Sequence, residues 1–233
     1  MGKKTVTYWG NDWELVGAVL SKQVPGVSKF RPHIYGFAQR SIIKLSNLVI
    51  FAGKHTSNKY QKYASQSIDT RPFISIKKED VFYREDTCLG EVINILYVGT
   101  FTERKGIWDL LDIFKILNDE KNIKLTLVGC GKLNGEIIKK IKLYNLQDKI
   151  EMAGYIGDIN ELKSCYQKSD IFVLPSYIEG FPRVWYESMS QCLPIVSTDV
   201  GGIPHLLVNN ENALLCKAGD IECMVRKLLK LIE

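Results

Sequence analysis

The chain has 233 residues, enough for one large domain or two small ones, and 45% of them are apolar, an ordinary share for a packed globular protein. A net charge of +5, with Lys and Arg scattered, gives no nucleic-acid footprint but is compatible with an anionic ligand or an anionic membrane surface. No apolar run approaches the roughly 18 residues that a membrane-spanning helix needs, and residues 1–20 lack a signal-peptide pattern. The 6 cysteines show no CxxC spacing, so they read as reduced thiols of a cytoplasmic protein rather than as disulfides or zinc ligands.

Residues 1–90 are the less regular part. Residues 6–9 read as a strand closed by a Gly10-Asn11-Asp12 turn. After Pro25 and Pro32 the pattern predicts a helix over 35–45, with Phe37, Ile42 and Leu45 among its apolar positions. A buried strand over 48–52 and a helix over 56–64 follow, then Arg71-Pro72-Phe73-Ile74-Ser75-Ile76. The charged stretch 77–89 reads as a linker, which puts a domain boundary near 88–91.

From residue 91 the alternation is regular. Strands are predicted over 92–98, 123–128, 150–153, 171–174, 195–197 and 213–216. Helices are predicted over 106–117, 134–144, 159–168, 221–232 and from Pro182 onward, where Val184, Trp185, Met189 and Cys192 mark one apolar side. Strands separated by helices of this length predict an α/β fold. The pattern predicts a doubly wound parallel sheet over 91–233, preceded by an expected incomplete α/β segment over 1–90.

Loops at the carboxyl ends of parallel strands carry ligands. The first candidate loop, 99–106, places Arg104 and Lys105 before a helix, where free N–H groups, the dipole and the cations suit a pyrophosphate. The second, 129–134, is nearly G-x-G-x-x-G, but Asn134 stands at its last glycine, and Glu151 lies about where a dinucleotide fold keeps its ribose-binding acid. That is a weak signal for NAD. The third loop holds Glu179 and Gly180, with Val200-Gly201-Gly202 downstream, and Glu187 follows eight positions after Glu179 inside the next helix. On spacing alone, two solvated carboxylates are the more frequent situation.

The surrounding residues change that weighting. P-S-Y-I-E-G-F-P-R-V-W-Y-E-S-M, followed by Pro194-Ile195-Val196-Ser197-Thr198 and Val200-Gly201-Gly202-Ile203-Pro204, resembles the donor-binding core of the retaining glycosyltransferases of family 4, which have the GT-B fold. That family pairs E-x7-E with a Gly-Gly loop downstream. The resemblance implies that Lys105 binds the diphosphate of a nucleotide-diphosphate sugar and that Glu179 contacts the donor sugar, the two together forming the catalytic pair. It also implies that Glu187 holds the ribose hydroxyls, a carboxylate suiting a vicinal diol. Gly99, Thr100 and Arg104 would line the diphosphate, with Thr100 standing where the family usually has arginine. Gly180, Phe181, Pro182, Arg183 and Val184 would surround it from the third loop and the helix N-terminus, and Tyr155 and Ile156 would border the base.

No DxD motif is present, and cations at the diphosphate make a metal unnecessary, so no metal or cofactor is expected. His205 replaces a frequent Glu, Ala213 a frequent Gly, and Pro182 a common glycine. The implied reaction is transfer with retention to a glycan or lipid-linked acceptor in the cytoplasm, compatible with peripheral contact at the inner face of a membrane. By the same resemblance the chain starts midway through the N-terminal domain and stops before the family's last helices. That raises an alternative: an inactive or split donor-binding fragment that needs a complementing chain. An NAD-dependent oxidoreductase is a distant third reading.

Overall fold

In the computed structural model, which describes residues 4–10, 12–23, 28–70, 76–180, 182–201 and 206–233, the chain divides into two units. The first holds residues 1–73, 178–182 and 200–206, and the second holds 74–177, 183–199 and 207–233. Asn11, Arg71 to Ser75, Phe181 and Gly202 to His205, all singled out in the sequence, lie outside the described residues.

The first unit is a three-stranded parallel sheet, β1 (Val6–Trp9), β2 (Leu48–Ala52) and β3 (Ser67–Thr70), in the order β1-β2-β3. Its helices are α1 (Trp13–Gln23), α2 (Arg31–Leu45) and α3 (Lys54–Tyr60). One sheet face places Trp9, Val49 and Phe51 in a core with Ile43 of α2 and Tyr60 of α3. α2 begins at Arg31 rather than at 35, because Pro32 fits the first turn, where no amide hydrogen is needed. It buries Gly36, Gln39 and Ile43, which leaves Phe37 and Leu45 in solvent.

α1 and β3 are absent from the sequence-based expectations. The apolar residues of α1 run nearly continuously and Gly17 interrupts them, so no clear period marks the helix. Asp12 is the legible signal: its carboxylate accepts from the Leu15 amide at 3.2 Å at the start of α1. β3 is short and exposed, and its four residues carry no apolar pattern.

In the second unit six parallel strands take the order β6-β5-β4-β7-β8-β9. They are β4 (Ile93–Val98), β5 (Ile123–Val128), β6 (Ile150–Gly154), β7 (Ile171–Leu174), β8 (Ile195–Thr198) and β9 (Leu214–Cys216). The helices between and after them are α4 (Ile107–Asn118), α5 (Asn134–Leu143), α6 (Ile159–Gln167), α7 (Arg183–Ser190) and α8 (Ile221–Ile232). β7 and β8 are buried along their whole length, as parallel strands covered on both faces must be. This is the doubly wound sheet expected from the alternation. Its strand order reverses between β4 and β7, and a doubly wound sheet opens its ligand crevice at that switch point.

The charged stretch after residue 76 is pinned to this unit. The Phe82 amide donates to the Ser190 carbonyl at 2.8 Å, and the Arg84 guanidinium donates to the carbonyls of Gln191, Ser169, Tyr166 and Gln167. Two thiols depart from the reduced state expected of all the cysteines: Cys216 and Cys223 form a disulfide. β9 ends at Cys216, and the Asp220 carboxylate, accepting from the Cys223 amide at 2.9 Å, turns the chain into α8. That turn brings the two Cα atoms to 5.9 Å. Cys192, expected on the apolar side of α7, lies beyond the end of that helix with φ 50° and is exposed.

Candidate functional site

At the β4–β7 switch point the loop after β4 and the chain leaving β7 meet closely. Gly106, at φ 66°, lets this happen: a Cβ there would stand 1.9 Å from the Pro175 carbonyl oxygen. The Tyr177 amide donates to the Arg104 carbonyl at 2.8 Å, and the Tyr177 hydroxyl donates to Asp109 in the first turn of α4 at 2.7 Å. Burial is the main cause that raises the Asp109 pKa, and the Tyr177 hydrogen bond only partly opposes it. From β8, the hydroxyls of Ser197 and Thr198 donate to the carbonyls of Leu174 and Ser176 and fix the end of β7. Lys105 therefore sits beside Gly106, on a loop clamped to the start of the segment that continues toward Glu179.

The loops after β4 and β5 are clamped to each other as well. The Gly99 amide donates to Val128 and the Phe101 amide to Cys130. A Cβ on Gly129 would lie 2.0 Å from the Gly99 carbonyl oxygen, and one on Gly131 would lie 2.3 Å from that of Phe101. Glu103 pairs with Lys132 at 2.9 Å. Burial alone would raise the Glu103 carboxyl, but the Lys132 hydrogen bond and charge outweigh it and hold the pKa below the usual range. Thr100 is exposed, and its carbonyl accepts from the Tyr97 hydroxyl at 3.2 Å. The Thr102 hydroxyl oxygen in this loop is buried without a hydrogen-bond partner among the described residues.

Asn134 has a definite job at the place where a dinucleotide motif would carry glycine. As the first residue of α5, it accepts the Gly131 amide at 2.8 Å and closes the loop. Glu151 is exposed within β6, before that strand's carboxyl end. Tyr155 and Ile156 follow β6 at the sheet edge, with Tyr155 exposed and Ile156 partly buried.

Arg183 and Val184 open α7, and Trp185 behind them is fully buried with its indole N–H unpaired among the described residues. Glu187, about one turn further on, is half-buried and accepts the Tyr166 hydroxyl at 2.9 Å. In the first unit Glu179 is buried, and Gly201, at φ 61°, comes so near that a Cβ would meet the Glu179 carbonyl oxygen at 1.7 Å. Gly180 and Pro182 belong to the same unit.

The structure thus brings Gly99, Thr100, Arg104 and Lys105 together at one end of the second unit's sheet, while Glu179, Gly180 and Pro182 group with the first unit. Sequence reasoning missed Tyr166, Tyr177 and the Glu103–Lys132 pair. Tyr166 had one available signal, an aromatic with a polar tip in a helix predicted to pack on the sheet, which demands a partner for its hydroxyl.

The family model described as glycosyl transferases group 1 matches residues 87–233. The amylovoran biosynthesis glycosyltransferase AmsK of Erwinia amylovora is 30% identical over 171 residues, which cover 70% of this chain and 41% of that protein. The capsular polysaccharide biosynthesis glycosyltransferase CapM of Staphylococcus aureus is 30% identical over 146 residues, 62% of this chain and 38% of that protein. Among solved structures, a variant of S. aureus TarM in complex with fondaparinux, α-GlcNAc-glycerol and UDP superposes with a TM-score of 0.76 at 17% identity, covering 98% of this chain and 44% of that one. At that identity the likeness shows the fold, which is GT-B. The chain spans less than half the length of each of these three proteins.

Proposed function

The chain belongs to the group 1 glycosyl transferases, and we propose that it binds a nucleotide-diphosphate sugar at the β4–β7 switch point and transfers the sugar to a glycan or lipid-linked acceptor. In this reading residues 91–233 are the donor-binding domain, and residues 1–90 are the acceptor-side segment and linker. The observation that carries it is the clamp at Gly106, which fixes the lysine-bearing loop against the end of β7 at the strand-order reversal. Further support comes from S. aureus TarM, whose structure holds UDP and α-GlcNAc-glycerol.

When the bond between the anomeric carbon and the diphosphate oxygen breaks, its electron pair stays with the diphosphate and positive charge develops on the sugar. Lys105 takes the diphosphate, aided by Arg104, Arg183 and the N-terminus of α7, so charge is neutralised without a divalent metal. Gly99 and Thr100 belong to that loop, and we assign donor-binding roles also to Gly180, Phe181, Pro182 and Val184. We assign Glu179 to the donor sugar, Glu187 to the ribose diol, and Tyr155 with Ile156 to the base. Retention of anomeric configuration and membership of family 4 are part of the same reading, resting on the E-x7-E pair. So are a place in surface-polysaccharide assembly and peripheral contact with a membrane; among the described residues no helix is long and apolar enough to cross one.

The test is binding of UDP-, GDP- and ADP-sugars, with NAD as control, to wild type and Lys105→Ala. One nucleotide sugar should bind saturably and indifferently to chelator, and the substitution should weaken it by about 10- to 100-fold, the worth of a charge-assisted contact. Binding of NAD alone would overturn the reading. A second reading, a donor-binding unit that transfers only with a complementing chain, is favoured by the face of the first unit's sheet that no described residue covers, where Val6 and Tyr8 are exposed. It predicts donor binding without transfer.

A further inference from the structure

Tyr166 lies near the end of α6 and is 1% exposed, with its ring 5.9 Å from that of Phe172 on β7. A buried phenol needs a partner for its hydroxyl. The partner here is an ionisable group on another helix, the Glu187 carboxylate, at 2.9 Å. We infer that Tyr166 is a positioning residue that aims the Glu187 carboxylate and thereby sets the preference for a nucleotide carrying an intact ribose diol. The inference rests on the assignment of Glu187 to the ribose.

The geometry argues for this in three steps. A glutamate side chain has three rotatable bonds and, left half-buried, samples several orientations; each costs free energy to freeze when a ligand binds. Tyr166 removes that freedom beforehand. Its ring is locked by packing, so its O–H direction is fixed, and one carboxylate oxygen is tied to it. The pair uses one of about four lone-pair positions on the carboxylate, leaving capacity for two ribose hydroxyls.

The frame that holds the phenol is itself fastened. Arg84 donates to the carbonyls of Tyr166 and Gln167 at the end of α6 and to that of Gln191 just past α7. Gln167 donates to the Gln191 side chain at 3.0 Å. The two helices that carry donor and acceptor are therefore joined at their carboxyl ends. Burial first, and the Glu187 charge second, raise the Tyr166 pKa well above its ordinary value, so the phenol stays a donor wherever the fold persists.

The test compares UDP, GDP and ADP with their 2′,3′-dideoxy counterparts on wild type, Tyr166→Phe and Glu187→Ala. Wild type should prefer the ribo form of whichever diphosphate binds. Tyr166→Phe should bind that form about 5- to 20-fold more weakly and the dideoxy form as wild type does, so the preference collapses. Equal weakening of both forms would mean that Tyr166 merely supports the fold, and would overturn the inference. If Glu187→Ala keeps the ribo preference, or no diphosphate binds, the assignment of Glu187 itself fails and Tyr166 falls with it. If Glu187→Ala loses the preference while Tyr166→Phe keeps it, Glu187 stands and Tyr166 does not. Circular dichroism checks the fold of each variant. Should Tyr166→Phe not fold, fluorotyrosine at position 166 keeps the hydroxyl but makes it a stronger donor. It must then change ribo affinity alone; no change, or a change in both forms, refutes the role.

Discussion

Gly106 shows how a single residue can decide whether a site exists. Its backbone is left-handed, and the place where a Cβ would go is held by the Pro175 carbonyl oxygen at 1.9 Å. Alanine there meets both a conformational and a steric penalty, and backbone cannot yield as the tip of a side chain can. Gly106→Ala should therefore lower the stability of the second unit by more than about 2 kcal/mol, measured by urea unfolding, and should weaken donor binding along with it. Wild-type stability would mean that the loop after β4 does not press on the end of β7. Gly201 is in the same position against Glu179, with 1.7 Å to its carbonyl oxygen. By contrast Lys105 is legible in the sequence as a cation beside a helix start, because charge and spacing are local properties. Tyr166 shows in the sequence only its need for a partner, since that partner lies 21 residues away on another helix and only the fold joins them.

At the level of elements, legibility follows how completely each is buried. β5, β7 and α8 have the bounds that apolar pattern predicts: β7 is enclosed on both faces, β5 keeps Ile123, Leu125 and Leu127 buried in alternation, and α8 carries one sharp apolar stripe. β3 leaves no signature because nearly all of it faces solvent, and the Cys216–Cys223 bridge leaves none because its spacing belongs to no recognised motif. The stretch 77–89 is legible only as charge. What the sequence hides is that Arg84 donates to four carbonyls at the ends of α6 and α7. Removing the fork takes a donor from each of these carbonyls, although that of Tyr166 keeps the Ser169 amide and that of Gln167 is open to water. Arg84→Ala should cost roughly 2–4 kcal/mol. Arg84→Lys should recover little of it, since an ammonium cannot span the same carbonyls as a planar fork. Thermal unfolding of the three proteins decides the matter, and full recovery by lysine would reduce Arg84 to a point charge.

Across the whole molecule the two sheets differ in how their faces are covered. The six-stranded sheet of the second unit has helices enough for both sides, and its central strands β7 and β8 are buried throughout, β4 everywhere but at Asn94. Among the described residues, the three-stranded sheet of the first unit covers the face carrying Trp9, Val49 and Phe51. On its other face the strand register aligns Val6 with Leu48, and Tyr8 with Ile50 and Ile68. Val6, Tyr8 and Ile68 are 60%, 65% and 51% exposed. Parallel sheets are built to be covered on both faces, and β1 is also an edge strand. An apolar face beside an unpaired edge is a surface on which chains associate. The chain of 233 residues should therefore self-associate as its concentration rises, detectably by light scattering. Tyr8→Lys places a charge in the middle of that face without touching the core, and should suppress the association while leaving the unfolding temperature within a few degrees. If association persists undiminished in Tyr8→Lys, the contact lies elsewhere, and the uncovered face no longer supports the reading of a unit that works with a complementing chain.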